Sequence, residues 1–525
     1  MRTLLLTLIF AAPLAVQEKT DPVAAIINRH LDARWKEKGL TPSAAADDYE
    51  FFRRLSLDVL GRVPKPDEIK AFVNDASPAK RAAAVDRLLA TDEAANFFAD
   101  RWLRLLWGYH FEETDPFKVD FPKFVGWLQK AYKDDLAYDQ FATSLIAPTG
   151  ELEDHPEANF AIRHLDPKEP PVALANRVTR VFLGLQMQCA QCHDHPTDPI
   201  TQDDFWGVTA CFGGIKKRTR KTFDGIKTKI IQDAGATVQM MTDTEKPTQV
   251  TPRFLDGTKP ADGEAAAAFL AKKVVGYKDD RFAQAAVNRL WSLYMGRGFV
   301  DPMDRFNERT KPSHPELLAE LAADFRTSGF KLRRVMRGIL LSKAYGLASK
   351  RNDAPENEFA FKMLRPQDPP QLLNNLMLTL ALDVFIAEFY KAFTANKDLP
   401  EGYRNATVFR LYLFKFMESL LAPGGHAPEE VPYAGSVRMA LKLMNGHDLQ
   451  GLMKAFWGRL GEILKADQAP EGRVDLIWLT TLSRPPTADE RERALAHIRK
   501  KRGEPSAYED LYWSLINSTE FFFNH

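Results

Sequence analysis

Three cysteines cannot staple a chain of 525 residues, so a disulfide framework is excluded as the source of its stability. No surplus of either charge is present: 71 lysines and arginines face 70 aspartates and glutamates. That balance argues against a dedicated binder of nucleic acid or anionic membrane. After the first residues no stretch reaches 18 uninterrupted apolar positions, so no membrane span is expected in the mature chain. Three catalytic signatures are missing as well: G-x-S-x-G, the P-loop and H-E-x-x-H. What the chain has in quantity is core material, 45% apolar residues with 35 Phe and 9 Trp, which excludes disorder. Its length exceeds what one core supports and implies two or three domains.

The scarce cysteines are concentrated. Cys189, Cys192 and His193 spell C-x-x-C-H, the pattern to which haem is attached covalently in c-type cytochromes. Two thiols one turn apart reach the two vinyl groups of one porphyrin, and the histidine that follows lies under the iron. Three other readings stand beside this one. Cys189 and Cys192 can form an exchange-prone disulfide. With His193 and His195 they can bind zinc, iron or copper, although such a hook usually has a second ligand pair far off in sequence. Or they are small buried residues, with His195 a turn histidine before Pro196. For haem, the residue types able to supply a distal ligand are His110, His155, His164, Met187 and the Met240–Met241 pair. Asp194 is either a second-shell group or the cap of the next turn. Trp102 and Trp107 read as core.

The N-terminus supplies an address. Met1-Arg2, the apolar run Leu4 to Ala15 and the small residues after it read as a signal peptide over 1–17, so a secreted or periplasmic protein is expected. Export suits haem c, which is attached outside the cytoplasm.

Periodicity predicts a mainly α-helical protein, two helical domains joined by a small β-containing connector. The first, 18–220, places Val23, Ile27, Leu31 and Trp35 on one helical face and Phe52, Leu55 and Val59 on another. A helix from Val172 to Met187 is expected to deliver Cys189 at its end. In the connector, 221–278, Ile226, Thr228 and Ile230 alternate, and Thr237 to Thr242 reads as a returning strand. The basic run Lys216 to Lys221 reads as a solvated linker. In the second domain, 279–525, helices are expected over 316–325, 332–341, 370–382, 436–444 and 508–516.

Collinear motifs carry a resemblance over nearly everything from Asp21 onward. Phe52-Arg53-Arg54-Leu55-Ser56-Leu57-Asp58-Val59-Leu60-Gly61-Arg62-Val63-Pro64 and the run from Cys189 to Ile200 resemble the planctomycete secreted cytochrome-associated domain. Asn288-Arg289-Leu290-Trp291, Gly296 to Pro302, Pro312 to Leu318, Leu482 to Pro486 and Trp513 to Phe521 resemble the domain of unknown function that habitually follows it. The resemblance implies an exported, largely helical protein that keeps company with cytochrome c domains; no activity is generally assigned to it. Many members carry such a domain upstream. It is absent here, which leaves Cys189, Cys192 and His193 as the candidate cofactor site.

Two functions are therefore expected as alternatives. The first is an exported c-type haem protein engaged in electron transfer or redox chemistry with a partner such as a cytochrome c. The second is a secreted, non-catalytic binding or scaffold protein whose cysteines and histidines form a structural metal site or a disulfide, in the setting of polysaccharide processing.

Overall fold

The computed structural model describes residues 20–108, 119–165, 168–222, 225–240, 248–307, 309–381, 391–398, 453–454, 458–465 and 469–525. His110, Met241 and the helix expected over 436–444 lie outside them.

The protein is mainly α-helical. Helix α1 (Pro22–Glu37) starts where Asp21 accepts from the amides of Val23 and Ala24 at 2.9 and 3.0 Å, with Pro22 in the first turn. Then come α2 (Asp48–Leu60), α3 (Pro66–Val73), α4 (Lys80–Leu89) and α5 (Asp92–Trp107), followed by α6 (Phe121–Lys133) and α7 (Tyr138–Ile146). A two-residue strand, β1 (Gly150–Glu151), precedes α8 (Asn159–His164), α9 (Val172–Leu183) and α10 (Gln202–Ala210).

The connector begins earlier than periodicity alone indicates. Strands β2 (Ile215–Thr222) and β3 (Gly225–Gln232) form an antiparallel hairpin, and β1 pairs with the far edge of β3 to give the order β1-β3-β2. The basic run at 216–221 is thus strand, not linker. Strands β4 (Val238–Met240) and β5 (Thr248–Val250) make a second antiparallel pair.

Helices α11 (Ala266–Val275), α12 (Arg281–Met295), α13 (Pro315–Thr327) and α14 (Leu332–Leu340) follow. Beyond β6 (Arg365–Pro366) and α15 (Pro369–Leu380), the described C-terminal part holds α16 (Gly458–Lys465), α17 (Pro470–Leu482), α18 (Ala488–Lys500), α19 (Pro505–Ile516), α20 (Thr519–Phe522) and β7 (Phe523–Asn524).

One hydrophobic core takes side chains from Val23 through Phe361, on both sides of the connector, together with Leu479 of α17. The stripe Val23, Ile27, Leu31 and Trp35 on α1 is buried, and α1 packs on α13 and α14. A second cluster runs from Leu372 to Phe521.

The two cores are tied together by polar bonds radiating from α2, whose residues 51–60 are all buried. Arg54 donates to the carbonyls of Tyr345 (2.5 Å), Leu347 (2.9 Å) and His525 (3.1 Å) and to Glu50 Oε1. Arg53 reaches the carbonyls of Glu520 and Phe521 and the Ser483 hydroxyl. Asp58, 1% exposed, accepts from Tyr345 Oη at 2.8 Å, from Asn524 Nδ2 at 2.7 Å and from the Arg365 guanidinium.

Removing one member of a buried ion pair strands the other charge at a cost of about 3–5 kcal/mol. Asp58→Ala is therefore expected to lower unfolding free energy by about that amount in urea titration. Arg29→Ala, which breaks the solvent-exposed pair with Glu320, is expected to cost under about 1 kcal/mol.

Candidate cofactor site

Helix α9 stops at Leu183, four residues short of the expected end, because Gly184 turns left-handed (φ 63°). Its amide donates to the carbonyl of Arg180, and that of Leu185 donates back to Thr179. No side chain fits there: a Cβ on Gly184 would lie 2.6 Å from the Phe306 ring. The chain leaving the helix is held by Asp304, 2% exposed, which accepts from Arg180 Nε at 2.7 Å and Gln186 Nε2 at 2.6 Å.

Residues 188–191 then form one 3-10 turn. Cys189 lies in it and Cys192 caps it, and residues three apart in such a turn eclipse one another. Ala190 is fully buried and anchors the turn, while both thiols are exposed and not joined to each other. The carbonyl of Gln191 accepts from Trp206 Nε1 and Gln202 Nε2, each at 3.1 Å, which pins the motif to α10. Asp194 Oδ1 accepts from the amide of Gln202 at 2.8 Å, so this aspartate caps α10.

The two histidines of the stretch differ in kind. His193 is exposed, and its Nδ1 lies 2.7 Å from the Asp194 carbonyl, an acceptor only. In the neutral ring that nitrogen carries the proton, which leaves Nε2 with a lone pair. In His195 the order is reversed. Its Nδ1 accepts from the amides of Asp198 (3.0 Å) and Thr197 (3.3 Å), so in the neutral ring the proton sits on Nε2. His195 thus has the turn role, holding the loop that brings its own amide to the Ile200 carbonyl.

Cys189 also lines a cleft of about 560 Å³, together with Trp107, His164, Arg177, Arg180 and Met187. Cys192 and His193 lie outside it. Two of the distal-ligand candidates, His164 and Met187, therefore share a cavity with the first thiol. The other described ones do not: His155 packs against Gly150 and pairs with Glu157, and Met240 lies in β4. His164 Nε2 donates to the Leu106 carbonyl at 2.8 Å, the arrangement that orients a ligating imidazole through its other nitrogen. Burial, with help from Arg177, pushes its pKa down to about 3, so the ring stays neutral. Trp107 is core, 4% exposed, yet among the described residues its indole Nε1 has no hydrogen-bond partner, and it walls the cleft.

Among the described residues no group of three or more His, Cys, Asp and Glu is placed to hold a metal ion. The third cysteine, Cys211, is buried on α10's last turn beside the Gly207 carbonyl, and burial pushes its thiol up to about 12.

Sequence reasoning missed Asp304 and Phe306, which lie more than a hundred residues from the turn they shape. Trp206 was within reach: a tryptophan on the helix directly after the motif is a natural partner for its carbonyls.

Two outcomes are expected. In cofactor-free protein a thiol reagent should titrate Cys189 and Cys192 without denaturant and Cys211 only with it; equal reactivity of all three would contradict the burial pattern. Second, His164 takes a proton at about 6.5 when unfolded but only near 3 when folded. Its contribution to stability is complete above pH 6.5 and is lost as the pH falls toward 3. His164→Gln should accordingly make the acid limb of the stability profile shallower.

No curated protein and no solved structure matches the chain. Among the described residues no helix is long and apolar enough to cross a membrane. Residues 26–217 match PSCyt2, a protein of unknown function (DUF1549), and residues 268–382 match PSD1, a protein of unknown function (DUF1553). The matches stand in the order that the motifs around Arg53, Cys189 and Trp291 imply, and the chain belongs to the family in which a PSCyt2 domain is followed by a PSD1 domain.

Proposed function

We propose that the protein is an exported c-type haem protein, with Cys189 and Cys192 as the thioether anchors and His193 as the proximal ligand. One observation carries this reading: in the neutral ring of His193 the Asp194 carbonyl holds Nδ1–H and Nε2 is left with a lone pair, beside two exposed thiols one turn apart that are not joined to each other. A hydrogen bond from the far ring nitrogen is what fixes the tautomer of a ligating histidine. A non-haem site built with His195 fits less well, because backbone amides already occupy its Nδ1.

Cys189 and Cys192 would each hold the haem through one thioether, formed by adding S–H across a vinyl group with nothing released. The bound group would supply one-electron redox chemistry, with a partner such as a cytochrome c. The protein's own residues supply the rest. The Gln191 carbonyl bonds and Asp194 hold the turn against α10, and Asp304 fixes its other side. Trp107 and Met187 give the cleft apolar wall beside Cys189, and His164 stands there as a neutral imidazole.

Protein matured in a haem-c-competent periplasm should retain haem through denaturing electrophoresis, read by peroxidase stain and intact mass. Cys189→Ala and Cys192→Ala should each weaken attachment, and His193→Ala should chiefly change the visible spectrum. His195→Ala should leave haem in place. Zinc, iron or copper lost in His195→Ala, with no haem, would replace this reading with a metal site; Cys189 and Cys192 found oxidised together would replace it with a disulfide.

A further inference from the structure

The β2–β3 hairpin carries seven lysines and arginines against one aspartate between 215 and 232, in a chain whose net charge is only +1. Pairing arranges them. Lys216 stands opposite Ile231, Arg218 opposite Lys229, and Arg220 opposite Lys227, and paired residues share a face of the sheet. The opposite face contains Ile230, fully buried, together with Lys217, Thr219 and Thr228. The face with Lys216, Arg218, Arg220, Lys227 and Lys229 is the one turned away from Ile230; Lys216, Arg218, Arg220 and Lys229 on it are exposed, as are Lys217 and Thr219 on the other face of the edge strand β2.

Two like-charge pairs lie directly across from each other, an arrangement that costs stability in a sheet. Acidic neighbours offset it only in part. Asp233 Oδ2 accepts from Lys216 Nζ at 2.5 Å, and Glu151, on the neighbouring strand β1, lies 3.8 Å from Arg220 Nη2. Arg218 and Lys229 have no acidic partner within ion-pair distance among the described residues.

We propose that this face binds a linear anionic polysaccharide, carboxylated or sulfated. Along each strand the cations recur at about 6.7 Å, and across the strands at about 5 Å, two parallel rows that match charges repeating along an extended polymer. Among its described positions this face shows no aromatic side chain of the kind that stacks on an unpaired base or enters a lipid surface. The inference stands apart from haem and needs no cofactor.

The double variant Arg218→Glu with Arg220→Glu converts both like-charge pairs into opposite-charge pairs, so the hairpin is expected to fold at least as well. Binding of full-length protein to fluorescently labelled alginate and to a labelled sulfated glycan is read by anisotropy at low and high salt. Wild type should bind at least one of them, and more weakly as salt rises. R218E/R220E should lose at least tenfold in affinity while its melting temperature holds. Arg499→Glu with Lys500→Glu, the same charge change on α18, should lose less than twofold.

Equal affinity of R218E/R220E and wild type would overturn the proposal, as would equal losses in both variants, which would mean net charge alone. Tighter binding to duplex DNA or to vesicles containing anionic phospholipid than to either polysaccharide would also overturn it, by assigning the face to another partner.

Discussion

The joint between the two hydrophobic cores depends on charges taken out of water on α2. Arg53 and Arg54 are both essentially unexposed, and burial pushes the Arg53 guanidinium down to about 10. A buried guanidinium is tolerated only where acceptors surround it. Most of the acceptors here are main-chain carbonyls: those of Tyr345, Leu347 and His525 lie in irregular chain, and those of Thr481, Glu520 and Phe521 lie at the ends of α17 and α20. The two arginines thereby hold irregular chain and helix ends against α2. Asp58 completes the arrangement by accepting from three elements at once.

The same logic extends down the chain after α2. Arg62 bonds Glu68 and Glu93, fixing α3 and α5. Asn375 on α15 accepts from the Val63 amide at 2.6 Å, and Gln371 donates to the Leu57 carbonyl at 2.8 Å. Apolar burial makes each core. Directional bonds from one thirteen-residue helix set how the second core sits on the first.

Much of the helical architecture was legible because apolar positions at helical spacing need no distant information: the stripes on α1, α12, α13 and α14 are buried as their spacing implies. What escaped depends on partners far away in sequence. Arg53 and Arg54 sit between Phe52 and Leu55 and read as the wet side of an amphipathic helix; the bonds that bury them span 291 to 471 positions. The end of α9 escaped because Phe306 dictates it. The basic run was taken for a linker because a string of solvated cations gives no strand signal until the strand beside it is known. At the candidate site the motif itself was plain, and the turn role of His195 was one of the readings available. The unlike protonation of His193 and His195 was not legible, since it follows from which main-chain groups the folded loop brings to each ring.

The turn bearing Cys189 and Cys192 is tethered at both ends, by Gly184 and Asp304 before it and by the Gln191 carbonyl after it, while its thiols face outward. This bears on the order of assembly. A reactive pair inside a core must be modified before the core closes, so the modifying enzyme competes with folding. Here α9 and α10 can finish packing first, and whatever joins the thiols meets a surface already in its final shape. Any group joined to these thiols can be added to the folded protein, and folding need not wait for it.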